Sequence, residues 1–192
     1  MTRILRIDSS AQAEGSITRT MLDRIEGRVG QADLRRDLGE DALPQIDRGW
    51  VAASRAPEAE RTADQRAALA LSDALIAEIE AADLLLIGVP IYNFGVPGAL
   101  KIWVDLICRP GVTFRYDVAG PEGLLRGKSA ILAVASGGTE VGSEADFATA
   151  YMRHVLAFVG ITDTTVVATD RHMARGDDAP REARMQIDAL AA

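Results

Sequence analysis

The sequence predicts an α/β doubly wound three-layer sandwich built on a five-stranded parallel sheet of strand order 2-1-3-4-5. Three observations predict it. Apolar strand-like runs alternate with helical patterns about five times along 192 residues, the signature of a mostly parallel sheet. "LLLIGV" and "SAILAVAS" are continuous apolar runs of the kind found in central strands buried on both faces. No internal repeat, low-complexity tract or composition shift divides the chain, so residues 1–192 read as a single domain.

The elements follow in order. "RILRID" (3–8) is a short strand carrying Ile4, Leu5 and Ile7. Residues 17–29 place Ile17, Met21, Leu22 and Ile25 at helical spacing. "ADLRRDL" (32–38) is a polar-edged strand. The long segment 39–63 is either a functional excursion or the seat of a short helix, since a structureless loop of this length is unusual. Residues 64–83, rich in Ala, Leu and Glu, form a helix leading into the "LLLIGV" strand. "GALKIWVDLIC" (98–108) is a helix in which Trp103 serves core or dimer packing. Residues 111–128 alternate short apolar and polar pieces and read as an irregular hairpin or lid. A strand at 129–136 ends in Gly137-Gly138. A helix at 147–160 stops at Gly160. A strand at 163–170 and a helix at 179–191 close the chain.

Bulk properties exclude several classes. The formal net charge of −7 argues against a phosphate-backbone binder, so no nucleic acid is expected. The longest apolar run is too short to span a bilayer, so no membrane partner is expected either. The single cysteine, Cys108, permits no internal disulfide and reads as a buried structural thiol. The N-terminus lacks an export signal, and a cytoplasmic location is expected. His154 and His172 lack the partners and spacing of a metal site, so no metal is expected.

In a sheet of this order the ligand lies beyond the carboxyl ends of the strands, at the switch between strands 1 and 3. Three loops should converge there: "DSSAQAEGSITRT", "PIYNFGVP" and "SGGTEVG". In the first, the hydroxyls of Ser9, Ser10, Ser16 and Thr18 surround a helix N-terminus. Hydroxyls, free amide N–H groups and the helix dipole together suit a phosphate. Simple N-capping by Ser16 is the bland alternative. In the third, Gly137 and Gly138 let the backbone approach a flat ligand; a tight turn without a ligand is equally compatible. The Rossmann glycine fingerprint is absent after strand 1. "GLLRGKS" (123–129) has the wrong glycine spacing and the wrong flanking elements for a phosphate-binding P-loop. A ligand with one phosphate and one large flat polar ring, such as flavin mononucleotide (FMN), fits all three loops.

"PIYNFGVPGALKIWVD", with "GVTFRY", "GPEGLLRGK" and "GITD", resembles the FMN-dependent NADH-azoreductase family of flavodoxin-like quinone reductases. The resemblance covers most of the chain. It implies a flavodoxin-like fold and a homodimer with two FMN sites at the subunit interface. It also implies a ping-pong cycle in which NADH or NADPH reduces FMN and a quinone or azo compound then takes the electrons. Carried over position by position, the FMN contacts are Ser10, Ser16, Ile17, Thr18, Ile91, Tyr92, Asn93, Phe94, Ser136, Gly137, Gly138 and Thr139. Phe114 and Tyr116 of the lid are expected near the open flavin face, and Phe158 is expected to line the pocket from the partner subunit. Two positions depart from the family: Ile91 stands where Met or Trp is common, and Thr139 follows Gly137-Gly138 in a loop whose register is thereby open.

Hydride transfer to a flavin needs proximity and orientation more than a protein acid or base, so no obligatory catalytic side chain is assigned. A flavodoxin-like electron carrier without its own acceptor pocket, and a cofactor-free binding domain, are the competing readings. The 39–63 and 111–128 segments speak against the carrier. Pro90 and Pro97 stiffen the middle loop. On this reading Asn93→Pro deletes a backbone donor to the ring and leaves the fold intact.

Overall fold

The computed structural model describes residues 2–190. Five parallel strands form the main sheet: β1 (Ile4–Asp8), β2 (Leu34–Asp37), β3 (Leu84–Pro90), β6 (Ser129–Ala135) and β7 (Asp163–Thr169), in the order β2-β1-β3-β6-β7. This is the predicted 2-1-3-4-5 order once the two extra strands are set aside. Those two, β4 (Phe114–Asp117) and β5 (Gly120–Gly123), form a separate antiparallel hairpin within the predicted lid.

Side-chain alternation along the strands divides the core in two. Leu5, Ile7, Leu85, Ile87 and Val89 face one layer, made by α3 (Ala63–Ala81), α4 (Gly98–Ile107) and α5 (Phe147–Val159). Ile4, Leu84 and Leu86 face the other, made by α1 (Ile17–Val29) and α7 (Asp178–Asp188). Trp103 is fully buried in the first layer, which assigns it to the core of this chain. The central strand β3 is buried at all seven positions, which explains why its sequence carries no polar alternation.

The 39–63 segment contains α2 (Arg48–Arg55) and a single 3-10 turn over Glu58–Glu60, and α2 packs on α3. Thr62 and Gln65 close a capping box at the start of α3. The sequence signal missed α6 (His172–Arg175), a single short turn after β7. The predicted closing helix ends at Asp188, and its last predicted residue, Ala191, lies outside the described residues.

The hairpin is docked by a close backbone approach. A Cβ on Gly123 would lie 2.2 Å from the Gly160 nitrogen. Gly160, at the left-handed C-cap of α5, has φ 110°, and the Leu125 N–H donates to the Val159 carbonyl at 2.9 Å.

Candidate functional site

The loops after β1, β3 and β6 meet at the carboxyl edge of the sheet. In the first loop the hydroxyls divide their work. Ser9 is turned inward, donating to the Gly88 carbonyl at 2.6 Å, so this hydroxyl belongs to the scaffold and not to the phosphate-like cluster the sequence suggested. Ser16 caps α1: its Oγ accepts from the Arg19 N–H at 3.4 Å and lies 3.2 Å from the Thr18 Oγ1. Ser10 Oγ accepts from the Gln12 N–H at 3.2 Å and lies 3.4 Å from the Tyr92 hydroxyl. These groups enclose a cavity of about 170 Å³ lined by Ser10, Gln12, Ser16, Ile17, Thr18, Ile91, Tyr92, Ser136, Gly137 and His172, together with Pro90 and Ala135. The first turn of α1 carries no acidic side chain, and its leading N–H groups have no intrahelical acceptors. Such a place favours an anion.

The second loop is stiff for a reason the sequence only half shows. The Ile91 N–H still pairs with the Ala135 carbonyl at 2.8 Å, extending β3. Tyr92 and Gly95 then close a two-residue turn in which Asn93 has φ 49° and Phe94 φ 72°. Two successive left-handed residues are the requirement of a type I′ turn, in which Asn is at home and Phe is strained. The Phe94 carbonyl accepts from the Phe147 N–H at 3.2 Å, which ties the turn to α5. Proline at 93 cannot adopt a positive φ. Asn93→Pro would therefore break the turn itself, contrary to the expectation of an intact fold.

The third loop is held from behind by α6. The His172 N–H donates to the Ser136 carbonyl and the Met173 N–H to the Gly137 carbonyl, each at 3.1 Å. A Cβ on Gly137 would come within 3.0 Å of the Met173 sulfur, whereas one on Gly138 would meet nothing within 4 Å. Glycine at 137 thus admits α6, and glycine at 138 leaves its backbone bare. Ser136 Oγ accepts from the Thr139 N–H at 2.7 Å. A groove of about 530 Å³ opens here, lined by Ile91, Asn93, Phe94, Ser136, Gly137, Gly138, Thr139, Glu140, Ser143, Ala145 and Arg171. It shares Ile91, Ser136 and Gly137 with the smaller cavity.

All twelve residues assigned to the cofactor in the sequence line one of these two adjoining spaces. A cavity that sets the hydroxyl residues Ser10, Ser16, Thr18, Tyr92 and Ser136 among the apolar side chains of Ile17, Pro90, Ile91 and Ala135 leads into a groove lined by Gly137 and Gly138, and the pair fits a phosphate carried on a flat ring. The sequence missed Gln12, His172, Glu140 and Arg171. Arg171 pairs with Glu140 at 3.0 Å and has φ 47°.

Phe114, Tyr116 and Phe158 lie elsewhere. Phe114 is buried and packs on Phe158 with ring centroids 4.5 Å apart. Tyr116 meets Phe114 edge-on at 5.7 Å, with most of its surface exposed. None of the three lines the cavity or the groove within this chain.

Behind the first loop runs a network of charges. Buried Arg6 donates to Asp8 at 2.7 Å and to Glu26 at 2.8 Å. Arg19 pairs with Asp37 through both Nη atoms, and its hydrogen bonds hold the Asp37 carboxyl below its usual range. Cys108 lies away from the site, and burial pushes its thiol up to about 11. Among the described residues, no group of three or more His, Cys, Asp or Glu side chains is arranged to hold a metal ion. No helix there is long and apolar enough to cross a membrane.

The sequence profile of a protein family described by its flavodoxin-like fold matches residues 2–191. An FMN-dependent NADH:quinone oxidoreductase 1 of Jannaschia sp. (strain CCS1) is 57% identical over 192 residues, covering 100% of both chains. The chain belongs to the family of FMN-dependent NADH:quinone oxidoreductases. Another family member, from Thiobacillus denitrificans, is 48% identical over 96% of this chain and 92% of its own. The family's flavodoxin-like fold is seen again in an azoreductase from Bacillus anthracis str. Sterne. That structure superposes with a TM-score of 0.85 at 23% identity, over 99% of this chain and 100% of the other. An FMN-dependent NADH-azoreductase from Bacillus anthracis str. Ames Ancestor, solved in complex with FMN, superposes with a TM-score of 0.82 at 20% identity, over 98% and 96%.

Proposed function

We propose that this chain is an FMN-dependent oxidoreductase that passes two electrons from NADH or NADPH to quinones and azo compounds. One observation carries the reading: a cavity bearing hydroxyl side chains at the N-terminus of α1 opens into a groove lined by Gly137 and Gly138 at the same sheet edge. The relatives' names supply the redox chemistry that such a pair of spaces can house.

Ser10, Ser16, Ile17 and Thr18 hold the FMN phosphate through hydroxyls and the free N–H groups of α1. Ile91, Tyr92, Asn93 and Phe94 form the shelf for the ring, and Ser136, Gly137, Gly138 and Thr139 form its opposite wall. FMN held there would supply two-electron redox chemistry between the nicotinamide donor and the acceptor, which would use the site in turn. The rigid 92–95 turn fixes the orientation on which such transfer depends. Backbone N–H groups of these loops would stabilise negative charge on a bound ring without a dedicated acid or base. Ile91, a β-branched side chain lining both spaces, would set how closely a bound ring packs.

Residues 1–192 act as one FMN-binding domain of a cytoplasmic homodimer. Phe114, Tyr116 and Phe158 sit off the groove of their own chain. Phe158 reaches the partner subunit's pocket across a dimer interface, backed by buried Phe114, and exposed Tyr116, Phe94 and Phe147 find cover there.

The test is a visible absorption spectrum of the FMN-loaded protein before and after NADH, followed by turnover with menadione or methyl red. Bleaching on NADH and reoxidation by the acceptor are expected. An FMN-loaded protein that turns over neither acceptor would leave the electron-carrier reading in its place, and a protein that takes up no FMN would end the flavin reading.

A further inference from the structure

The hydroxyls of the first loop explain an affinity for phosphate only if the loop's carbonyl oxygens are kept out of the cavity. Each peptide unit is planar and trans, so its C=O and N–H point in opposite directions. A loop left to itself presents either. Two features of this chain fix the choice. The Arg19 guanidinium donates to the Ser10 carbonyl at 3.2 Å through Nη2 and to the Gln12 carbonyl at 3.0 Å through Nε. Gly39, at the turn after β2, provides the slot into which the Ser10 carbonyl fits: a Cβ at 39 would lie 2.2 Å from that oxygen. The consequence is visible in the same peptide unit. With the Ser10 carbonyl turned toward Arg19 and Gly39, the Ala11 N–H points the other way and donates to the Tyr92 hydroxyl at 3.2 Å, beside the cavity.

Arg19 does not line the cavity. Asp37 is the anchor that keeps it in place, accepting through both carboxylate oxygens. The same carboxylate accepts the Gly39 N–H at 2.9 Å, so one side chain fixes both halves of the clamp.

The geometry points to Arg19 as a positioning residue for phosphate recognition: with Gly39, it turns the carbonyls of Ser10 and Gln12 outward, so that the 9–12 loop sets no carbonyl acceptor of these two residues against the FMN phosphate and leaves the Ser10 hydroxyl to meet it. This rests on the proposed FMN reading and deepens it, assigning phosphate affinity to residues that never touch the phosphate. Arg19 and Gly39 act on the phosphate loop directly and reach the ring's shelf only through the Ala11–Tyr92 hydrogen bond, so a loss here falls chiefly on a ligand that carries the phosphate.

The test compares FMN with riboflavin, which has the same ring and no phosphate. Each is titrated into apoprotein of the wild type, Arg19→Gln, Arg19→Lys and Gly39→Ala, followed by quenching of ring fluorescence. The wild type is expected to bind FMN more tightly than riboflavin. Arg19→Gln is expected to weaken FMN about tenfold or more, on the scale of lost hydrogen bonds to a charged group, with riboflavin affinity held within about twofold. Arg19→Lys keeps the charge but has one nitrogen to serve two carbonyls and Asp37, so it should retain most of that loss. Gly39→Ala displaces the Ser10 carbonyl, its Cβ also lying 3.1 Å from Arg19 Nη2, while keeping the Arg19 side chain and its charge, and should show the same selectivity; it decides the matter if Arg19→Gln does not fold. Equal weakening of both ligands, unchanged FMN affinity, or full recovery with Arg19→Lys would overturn the positioning role. A wild type that binds FMN no more tightly than riboflavin would instead overturn the phosphate placement itself, and the clamp with it.

Discussion

Tyr92 and Gly95 exchange both of their backbone hydrogen bonds, each 3.0 Å long, and so lock Asn93 and Phe94 into left-handed conformations. Asn tolerates that region through its short polar side chain; Phe has no such compensation. The shelf of the site is therefore held under strain. Phe94→Gly should raise the stability of the apoprotein by about 1 kcal/mol, because Phe94 is 59% exposed and gives up little burial. The same variant should bind FMN more weakly. Urea unfolding and FMN titration together check this; a destabilised Phe94→Gly would show that the strain is smaller than the chain entropy glycine adds to the unfolded state.

Ser9 and Ser10 are adjacent and chemically alike, yet the structure gives them different work. Ser9→Ala leaves the buried Gly88 carbonyl without its 2.6 Å donor and should cost about 1 kcal/mol of stability with FMN affinity unchanged. Ser10→Ala should do the reverse, lowering FMN affinity with little effect on unfolding. Measuring both quantities for both variants settles the division.

The Arg19–Asp37 pair makes a pH prediction. Hydrogen bonds from Arg19 hold the Asp37 carboxyl below its ordinary value of 3.8. A carboxyl depressed in the folded state stabilises fully above the unfolded value, and that contribution fades as pH falls through the lower folded value. Between about pH 5 and about pH 3 the wild type should therefore lose more stability than Asp37→Asn. Urea midpoints at the two pH values provide the check, and parallel losses would contradict it.

Cys108 should be sluggish toward thiol reagents. Burial foremost, with the nearby Asp105 carboxylate adding to it, pushes its thiol up to about 11, so the reactive thiolate is scarce near neutral pH. Alkylation by iodoacetamide at pH 8 should be far slower than that of a free thiol and should accelerate on unfolding in urea.

Trp103 is 1% exposed in the layer beneath α4. Trp103→Ala should destabilise the chain by about 3–5 kcal/mol, read from the urea midpoint. A change in acceptor kinetics without loss of stability would return Trp103 to an interfacial role.

The main sheet was legible because β3 and β6 are apolar without interruption and the helices between the strands carry their own period. The hairpin was less so. "GPEG" has no β-pattern, and β5 exists because its backbone lies against the Gly160 end of α5. α6 is one short turn, ordered by hydrogen bonds to the carbonyls of Ser136 and Gly137, and no local signal announces such a contact. At the site, residue type disclosed the hydroxyls and glycines that line the two spaces. Residue type could not disclose which hydroxyl is committed to the scaffold, as Ser9 is, nor the sign of a backbone dihedral, on which the misjudged Asn93→Pro depended. Arg19 escaped notice because it acts from outside the cavity, through carbonyls that every residue possesses.

The pairing of Ile4 with Leu84 at the centre of the sheet also constrains how the chain is born. β1 has only the short edge strand β2 for company until the segment that becomes β3 has been synthesised. Through that interval the flank of β1 that will meet β3 is a bare, partly apolar edge, and the loop to be closed around it is long. A ribosome that slows before residue 84 would prolong that exposure. Synonymous codon choice across 63–83, which alters no side chain at the flavin site, should therefore affect how much of this protein is recovered in soluble form.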